Sequence, residues 1–262
     1  MKNKIIIIIG ILFGIVAANS PAQTTLPHFK NVAYKCGEKL TFRVHYGMID
    51  AGECSLEIMK DYEKIGPREC YHIVGIGKSL GAFNMFFKVV DRYETVIDNE
   101  ALTPWLFIRR VDEGGYKINQ NYSFNPYKHT VNTGKETVTV PDSIQDLLSA
   151  FYFARTFDFS KIQEGELFYV TMYLDEKLYP MAIKFMGRET VSTKLGKFPC
   201  LKFSPQLLKG RIFKEQEGMT LWISDDLNHI PIRLESDLLI GSIKIDLSDY
   251  SGLSNILNKV SE

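Results

Sequence analysis

Leu40-Thr41-Phe42-Arg43-Val44-His45-Tyr46 alternates without a break. Leu40, Phe42, Val44 and Tyr46 fall on one side and Thr41, Arg43 and His45 on the other, the period of two that gives a strand one dry and one wet face. Tyr116 to Phe124 repeats the pattern with Lys117, Asn119, Asn121 and Ser123 outward. So do Ile230-Pro231-Ile232-Arg233-Leu234-Glu235 and Ile243-Lys244-Ile245-Asp246-Leu247. Turn chemistry separates such runs: Ile65-Gly66-Pro67-Arg68, Asp112-Glu113-Gly114-Gly115, Asn132-Thr133-Gly134-Lys135 and Leu195-Gly196-Lys197. Turns recurring every ~8–12 residues mark an antiparallel sandwich or barrel, here with on the order of a dozen or more strands.

One segment departs from this rhythm. Ile144, Leu147, Leu148 and Phe151 recur at helical spacing, and Asp142 with Gln145 three residues on resembles a capping box. A main helix is expected from about Asp142 to Thr156, with its apolar stripe laid on the dry face of a curved sheet. Ser79 to Phe87 reads as a second short helix or an apolar loop, and Asp249 to Val260 as a frayed C-terminal helix.

At the N-terminus, Lys2 and Lys4 precede the apolar run Ile5 to Ala18, and Ser20 and Ala22 stand at −3 and −1 of a cleavage point before Gln23. This is the anatomy of a cleavable secretory signal over residues 1–22, too short to span a bilayer comfortably. Residues 23–262 are then expected to form a single mostly-β envelope domain, periplasmic or otherwise exported, with no transmembrane anchor after cleavage. The first cysteine is Cys36, so no lipid-bearing cysteine stands at the cleavage point. Basic and acidic side chains balance at 31 each, and without Lys2 and Lys4 the chain is slightly acidic; nucleic acid is not an expected partner.

Cys36, Cys54, Cys70 and Cys200 show no C-x-x-C spacing. An exported chain permits disulfides, but four cysteines allow three pairings and the sequence does not choose among them. Small buried apolar side chains are the simpler reading. No two of the five histidines have local metal-ligand spacing. Gly75-Ile76-Gly77-Lys78-Ser79 lacks the earlier glycine of a phosphate loop, since His72 stands there. There is no G-x-S-x-G and no S-x-x-K. No cofactor is expected.

Several segments together resemble a bacterial family catalogued as domain of unknown function 3108, over about Gly37 to Leu247. They are Gly37-Glu38-Lys39-Leu40-Thr41-Phe42 with Gly52, Asp91-Arg92-Tyr93-Glu94-Thr95, and Val140-Pro141-Asp142 with Gln145-Asp146-Leu147-Leu148-Ser149-Ala150. Gly196-Lys197-Phe198, Leu221-Trp222-Ile223-Ser224-Asp225-Asp226, Ile230-Pro231-Ile232 and Gly241-Ser242-Ile243 complete the set. The resemblance implies an exported protein with a large, strongly curved antiparallel sheet or incomplete barrel. It implies no reaction. The missing lipoprotein cysteine weakens any parallel with membrane-anchored barrels.

Candidate site residues follow from chemistry. Phe83, Phe86 and Phe87, with Leu80 and Met85, form either a flap over an apolar groove or core packing. Arg92 is either a clamp for a ligand carboxylate or half of an ion pair bracing the sheet. Tyr169, Tyr173 and Tyr179 are candidate stacking platforms for sugars or acyl chains, though such rings more often fill β cores. Asp225, Asp226 and His229 are the weak metal candidates, within a stretch that also suits a tight turn. Three classes remain open: a non-catalytic binder of an apolar or amphipathic ligand such as a lipid or lipid-linked glycan, a partner-binding or assembly factor for envelope polymers, and a hydrolase with a dispersed site.

Overall fold

The computed structural model describes residues 25–207, 218–237 and 242–260. The signal-like residues 1–22 and Gly241 lie outside the described residues.

The chain is mostly β. Its first strands are β1 (Lys39–Tyr46), β2 (Ile49–Ile58), β3 (Glu63–Ile65) and β4 (Arg68–Ser79), followed by the single-turn α1 (Phe83–Phe86). Then come β5 (Val90–Asp98), β6 (Pro104–Glu113), β7 (Tyr116–Asn125), β8 (Thr130–Asn132) and β9 (Thr137–Thr139). After α2 (Leu147–Ala154) run β10 (Leu167–Leu174), β11 (Lys177–Thr193), β12 (Gly196–Leu207), β13 (Met219–Ser224), β14 (Pro231–Asp237) and β15 (Ser242–Ser251).

All fifteen strands among the described residues belong to one antiparallel sheet, ordered β10-β11-β12-β13-β14-β15-β1-β2-β4-β5-β6-β7-β8-β9, with β3 paired to β4 off this path. The four turns read from the sequence each join neighbouring strands. The sheet curls until its two ends face one another without pairing. Tyr173 of β10 packs with Phe107, Tyr122 and Val131 from β6 to β8. Arg109 of β6 reaches Asp175 in the β10–β11 turn at 2.9 Å, and Lys135 reaches Glu176 at 2.9 Å. The result is an incomplete barrel.

The helix begins later than the sequence suggests. Its N-cap is Asp146, not Asp142: Asp146 Oδ1 accepts from the backbone N–H groups of Leu148 and Ser149, and Ser149 Oγ accepts from the Asp146 N–H. Asp142 stands in solvent beside His129. The helix cannot start earlier because the Gln145 backbone is already engaged. Its N–H donates to Thr171 O (3.0 Å) and its carbonyl accepts from the Tyr173 N–H (2.8 Å), a parallel bridge along the free edge of β10. That edge is thereby part-covered.

The C-terminal helix expected over Asp249 to Val260 is absent. β15 runs to Ser251, and the chain from there to Val260 has no regular secondary structure. Its backbone groups are taken by the β13–β14 turn: the Asn255 N–H donates to Asn228 Oδ1, the Asn258 N–H to Asp226 Oδ2, and Asn228 Nδ2 donates to Asn255 O. A helix would have needed those donors internally.

Arg155, just past α2, is fully buried. Nη1 and Nη2 donate to the two oxygens of Glu38 at 2.6 and 2.8 Å, and Nε donates to Asn228 O at 3.0 Å. The guanidinium also lies over the rings of Tyr34 and Tyr152, 5.2 and 5.1 Å from their centroids. One side chain thus ties the helix to the residues before β1 and to the β13–β14 turn.

Candidate functional site

Between α2 and the concave face lie two apolar chambers. One, of about 390 Å³, is walled by Phe168, Met172, Met181, Phe203, Leu221 and Ile223 from β10 to β13. The other, of about 350 Å³, lies on the opposite flank of the helix against Phe42, Leu56, Gly75, Leu148 and Ile245. They share Tyr93, Leu147, Phe151, Leu221 and Leu234, so they form one groove divided by a helix. Gly75 sets how closely the helix sits: a Cβ there would come within 3.3 Å of Leu56 and 3.5 Å of Leu148.

The helix is held at its ends by polar bonds and left apolar along its flanks. At the start, Thr95 Oγ1 donates to Asp146 Oδ2 at 2.5 Å, and Gln145 Nε2 donates to Leu102 O at 3.1 Å. At the end stands the Arg155–Glu38 pair. A beam fixed at both ends can flank a ligand without itself moving.

Burial pushes the Asp146 carboxyl up to about 6, against the pull of the Thr95, Ser149 and Leu148 donors. The native state therefore binds a proton that the unfolded chain has already released, in the window from about pH 4 to about pH 6. Stability should be greatest below that window and fall as pH rises through it, by about 2–3 kcal/mol at most. Asp146→Asn keeps an acceptor at the cap and carries no proton to lose. Urea titrations at pH 7 and pH 5 should show wild type gaining stability relative to this variant at pH 5; parallel curves would refute the assignment.

The candidates from the sequence take the following places. Phe83 packs on Tyr46, with centroids 6.4 Å apart, and Phe87 lies against Gly114. Met85 and Phe86 stand in solvent, 84% and 88% exposed. Arg92 faces away from the groove and donates from Nε to Glu94 at 2.8 Å. Tyr169 is exposed, whereas Tyr173 is buried in the cluster that joins the ends of the sheet. Tyr179 lines the larger chamber, whereas Phe83, Phe86, Phe87, Arg92, Tyr169 and Tyr173 line neither.

Asp226 Oδ1 accepts from Ser224 Oγ, the Asn228 N–H and Asn228 Nδ2, Asp225 pairs with Arg188 at 3.2 Å, and His229 Nδ1 donates to Arg155 O at 2.7 Å. All three side chains are thus engaged within the protein, and among the described residues no three His, Cys, Asp or Glu side chains converge as metal ligands. The four cysteines are unpaired. Burial pushes the Cys54, Cys70 and Cys200 thiols up to about 12, far from the thiolate a nucleophile needs.

The residues that shape the groove and went unnoticed as candidates in the sequence are Arg109, Asp146 and Arg155. The alternation of Phe107, Arg109 and Val111 does place Arg109 inward, beside Tyr93. Nothing local marks Arg155, whose partner Glu38 lies 117 residues away.

A family model described as "Protein of unknown function (DUF3108)" matches residues 41–248. Among solved structures, the chain resembles a β-barrel-like protein of domain of unknown function DUF1849 from Brucella abortus. That likeness has a TM-score of 0.54 at 9% identity and covers 84% of this chain and 98% of the other. A protein from Parabacteroides distasonis assigned as a lipoprotein covers 87% of this chain and all of its own, at 13% identity and a TM-score of 0.35, too loose a likeness to bear on the fold. A comparison with curated proteins finds no match.

Proposed function

We propose, for a chain that belongs to the DUF3108 family, that its incomplete barrel is a non-catalytic receptacle for an apolar or amphipathic ligand of the cell envelope, such as a lipid or a lipid-linked glycan. The observation that carries this reading is the divided groove. Filled cores leave few voids larger than a water molecule, whereas each chamber here falls within the ~300–1,000 Å³ of ordinary ligand sites. Export rests on the N-terminal sequence alone, with its short basic region, apolar run and small residues before Gln23.

Native mass spectrometry of the protein purified from its own periplasm tests the reading. A reproducible extra mass that disappears on denaturation is expected. Leu221→Trp, which places an indole where the two chambers meet, should reduce the loaded fraction severalfold while leaving the fold intact. A bare mass in wild type, with no uptake of added lipid, would sink the proposal.

A second reading, a partner-binding or assembly factor, draws on a different observation. Met48 in the β1–β2 turn and Met85 and Phe86 of α1 project into solvent, and single-turn α1 buries none of its four residues. Apolar side chains exposed together on loop tips are unusual unless something covers them.

A further inference from the structure

Three connections meet at one end of the barrel: the β1–β2 turn, the β4–β5 connection that carries α1, and the β6–β7 turn. The Leu80 N–H donates to Ala51 O at 2.9 Å and Phe83 packs on Tyr46, which joins the first two. The Gly114 N–H donates to Lys88 O at 2.8 Å and Val89 bridges to Glu113, which joins the second to the third. On this shared surface Met48, Met85 and Phe86 are 102%, 84% and 88% exposed, with Ile49, Val90 and Tyr116 exposed around them. The four residues of α1, Phe-Asn-Met-Phe, are all left unburied. A connection that only had to turn the chain would be polar.

Charge and shape choose the occupant. Asp50 is paired with His45 at 3.1 Å and Arg43 at 4.0 Å, and Asp112 with Lys117 at 3.5 Å. Burial and the neighbouring Asp91 hold the Glu113 carboxyl above its ordinary range. Lys88, exposed and next to Phe87 in the chain, has no carboxylate partner among the described residues. The tip therefore offers an unmatched cation among apolar side chains, which suits an anionic lipid surface. Tyr116, 64% exposed, adds the ring and hydroxyl favoured at headgroup depth. Met48 projects from a different turn than Met85 and Phe86, and all three are nearly free of protein contact. A folded partner would need separate sockets for them, whereas fluid acyl chains close around them.

We infer that this tip docks on a phospholipid bilayer containing anionic lipid, with Met48, Met85 and Phe86 entering the acyl boundary and Lys88 at the depth of the phosphates. This goes beyond the receptacle reading and stands without it. Docking would bring the groove to the lipid surface. Gly77 and Asp91, on the wall of the smaller chamber, pair with each other on the strands that lead into and out of α1. The helix α2 is tied through Arg155 and Gln145 to Glu38 and Leu102, at the other end of the sheet.

Flotation in a density gradient tests the docking. Mature protein purified from the periplasm is mixed with vesicles of phosphatidylethanolamine and phosphatidylglycerol, or of phosphatidylcholine alone. Wild type should float with the anionic vesicles and bind the neutral ones more weakly. Met85→Ser combined with Phe86→Ser removes two side chains that touch little else, and should lower the partition coefficient at least about tenfold on both vesicles. Lys88→Gln should lower it about fivefold on anionic vesicles and leave neutral ones unchanged. Without vesicles, the double variant should melt at the wild-type temperature. It should also take up N-phenyl-1-naphthylamine, a neutral apolar probe whose fluorescence rises on leaving water, to the same extent as wild type. If the double variant does not fold, Met48→Ser on the neighbouring turn replaces it and should lose about threefold or more. Wild type that stays in the dense fraction with both vesicles overturns the docking, returns the tip to the protein-partner reading and leaves the receptacle untouched. A folded double variant that floats like wild type puts the contact elsewhere and overturns this tip as the surface. Equal binding of wild type and Lys88→Gln to anionic vesicles overturns the part given to Lys88. Wild type that floats yet takes up no probe supports the docking and counts against the receptacle alone.

Discussion

Glu38→Gln should destabilise the protein by about 3–5 kcal/mol, because it leaves the Arg155 cation buried without a counter-charge. Both side chains of the pair are essentially inaccessible to water, at 1% and 0% exposure, and Arg155 has no route by which to recover solvent. The amide can accept one hydrogen bond where the carboxylate accepted two. Replacing both residues by leucine should restore much of the loss, since burying an ion pair stabilises little over burying apolar groups of similar volume. Urea denaturation of the two variants separates these effects. A loss below about 1 kcal/mol for Glu38→Gln would mean that water reaches the pair, as surface pairs contribute no more than that. Because the pair fixes the C-terminal end of α2, the single variant should also loosen the groove and weaken ligand uptake alongside stability.

Phe203→Ala should cost a similar amount, about 3–5 kcal/mol, for a different reason. Phe203 is buried against three other rings, Phe159, Phe168 and Phe185, with centroids 5.1, 5.6 and 5.3 Å away. It is also a wall of the larger chamber. Truncation removes these contacts and joins new empty volume to a space that already exists, so the surroundings have little reason to collapse around it. The denaturation midpoint should drop sharply, while N-phenyl-1-naphthylamine still binds and restores part of the loss by mass action. A midpoint within experimental scatter of wild type would show that the ring is not packed as described.

The strands were legible because each has a wetter outer face, which makes period-two alternation visible along β1, β7, β14 and β15. The helix was legible in kind but not in extent. Asp142 and Gln145 imitate a capping box, and only the non-local bridge from Gln145 to β10 reveals that the true cap is Asp146. The same limit hid the fate of residues beyond Ser251, whose backbone is claimed by Asn228 and Asp226 from another part of the chain. The groove itself left no signature. Met181 and Leu221 on a chamber wall look in sequence like Leu40 and Phe198 in a filled core, since apolar residues serve both. Arg92 drew notice through its charged neighbours, yet the alternation that sends it outward with Glu94 also turns Arg109 inward across from Tyr93.

The strand order also shapes how the chain must assemble. From β1 to β9 and from β10 to β15, neighbours on the sheet are neighbours in sequence, apart from the small excursion of β3. The exception is the seam between β1 and β15, where Ser248 Oγ donates to Thr41 O across 207 residues. Two local meanders can therefore form at modest entropic cost, and nearly all of the loop-closure entropy is concentrated in one joining event. Until that seam shuts, each meander carries an open edge of the kind that pairs with other chains. Glu38 lies one residue before β1, so the ion pair that pins the helix also stands beside the last edges to meet.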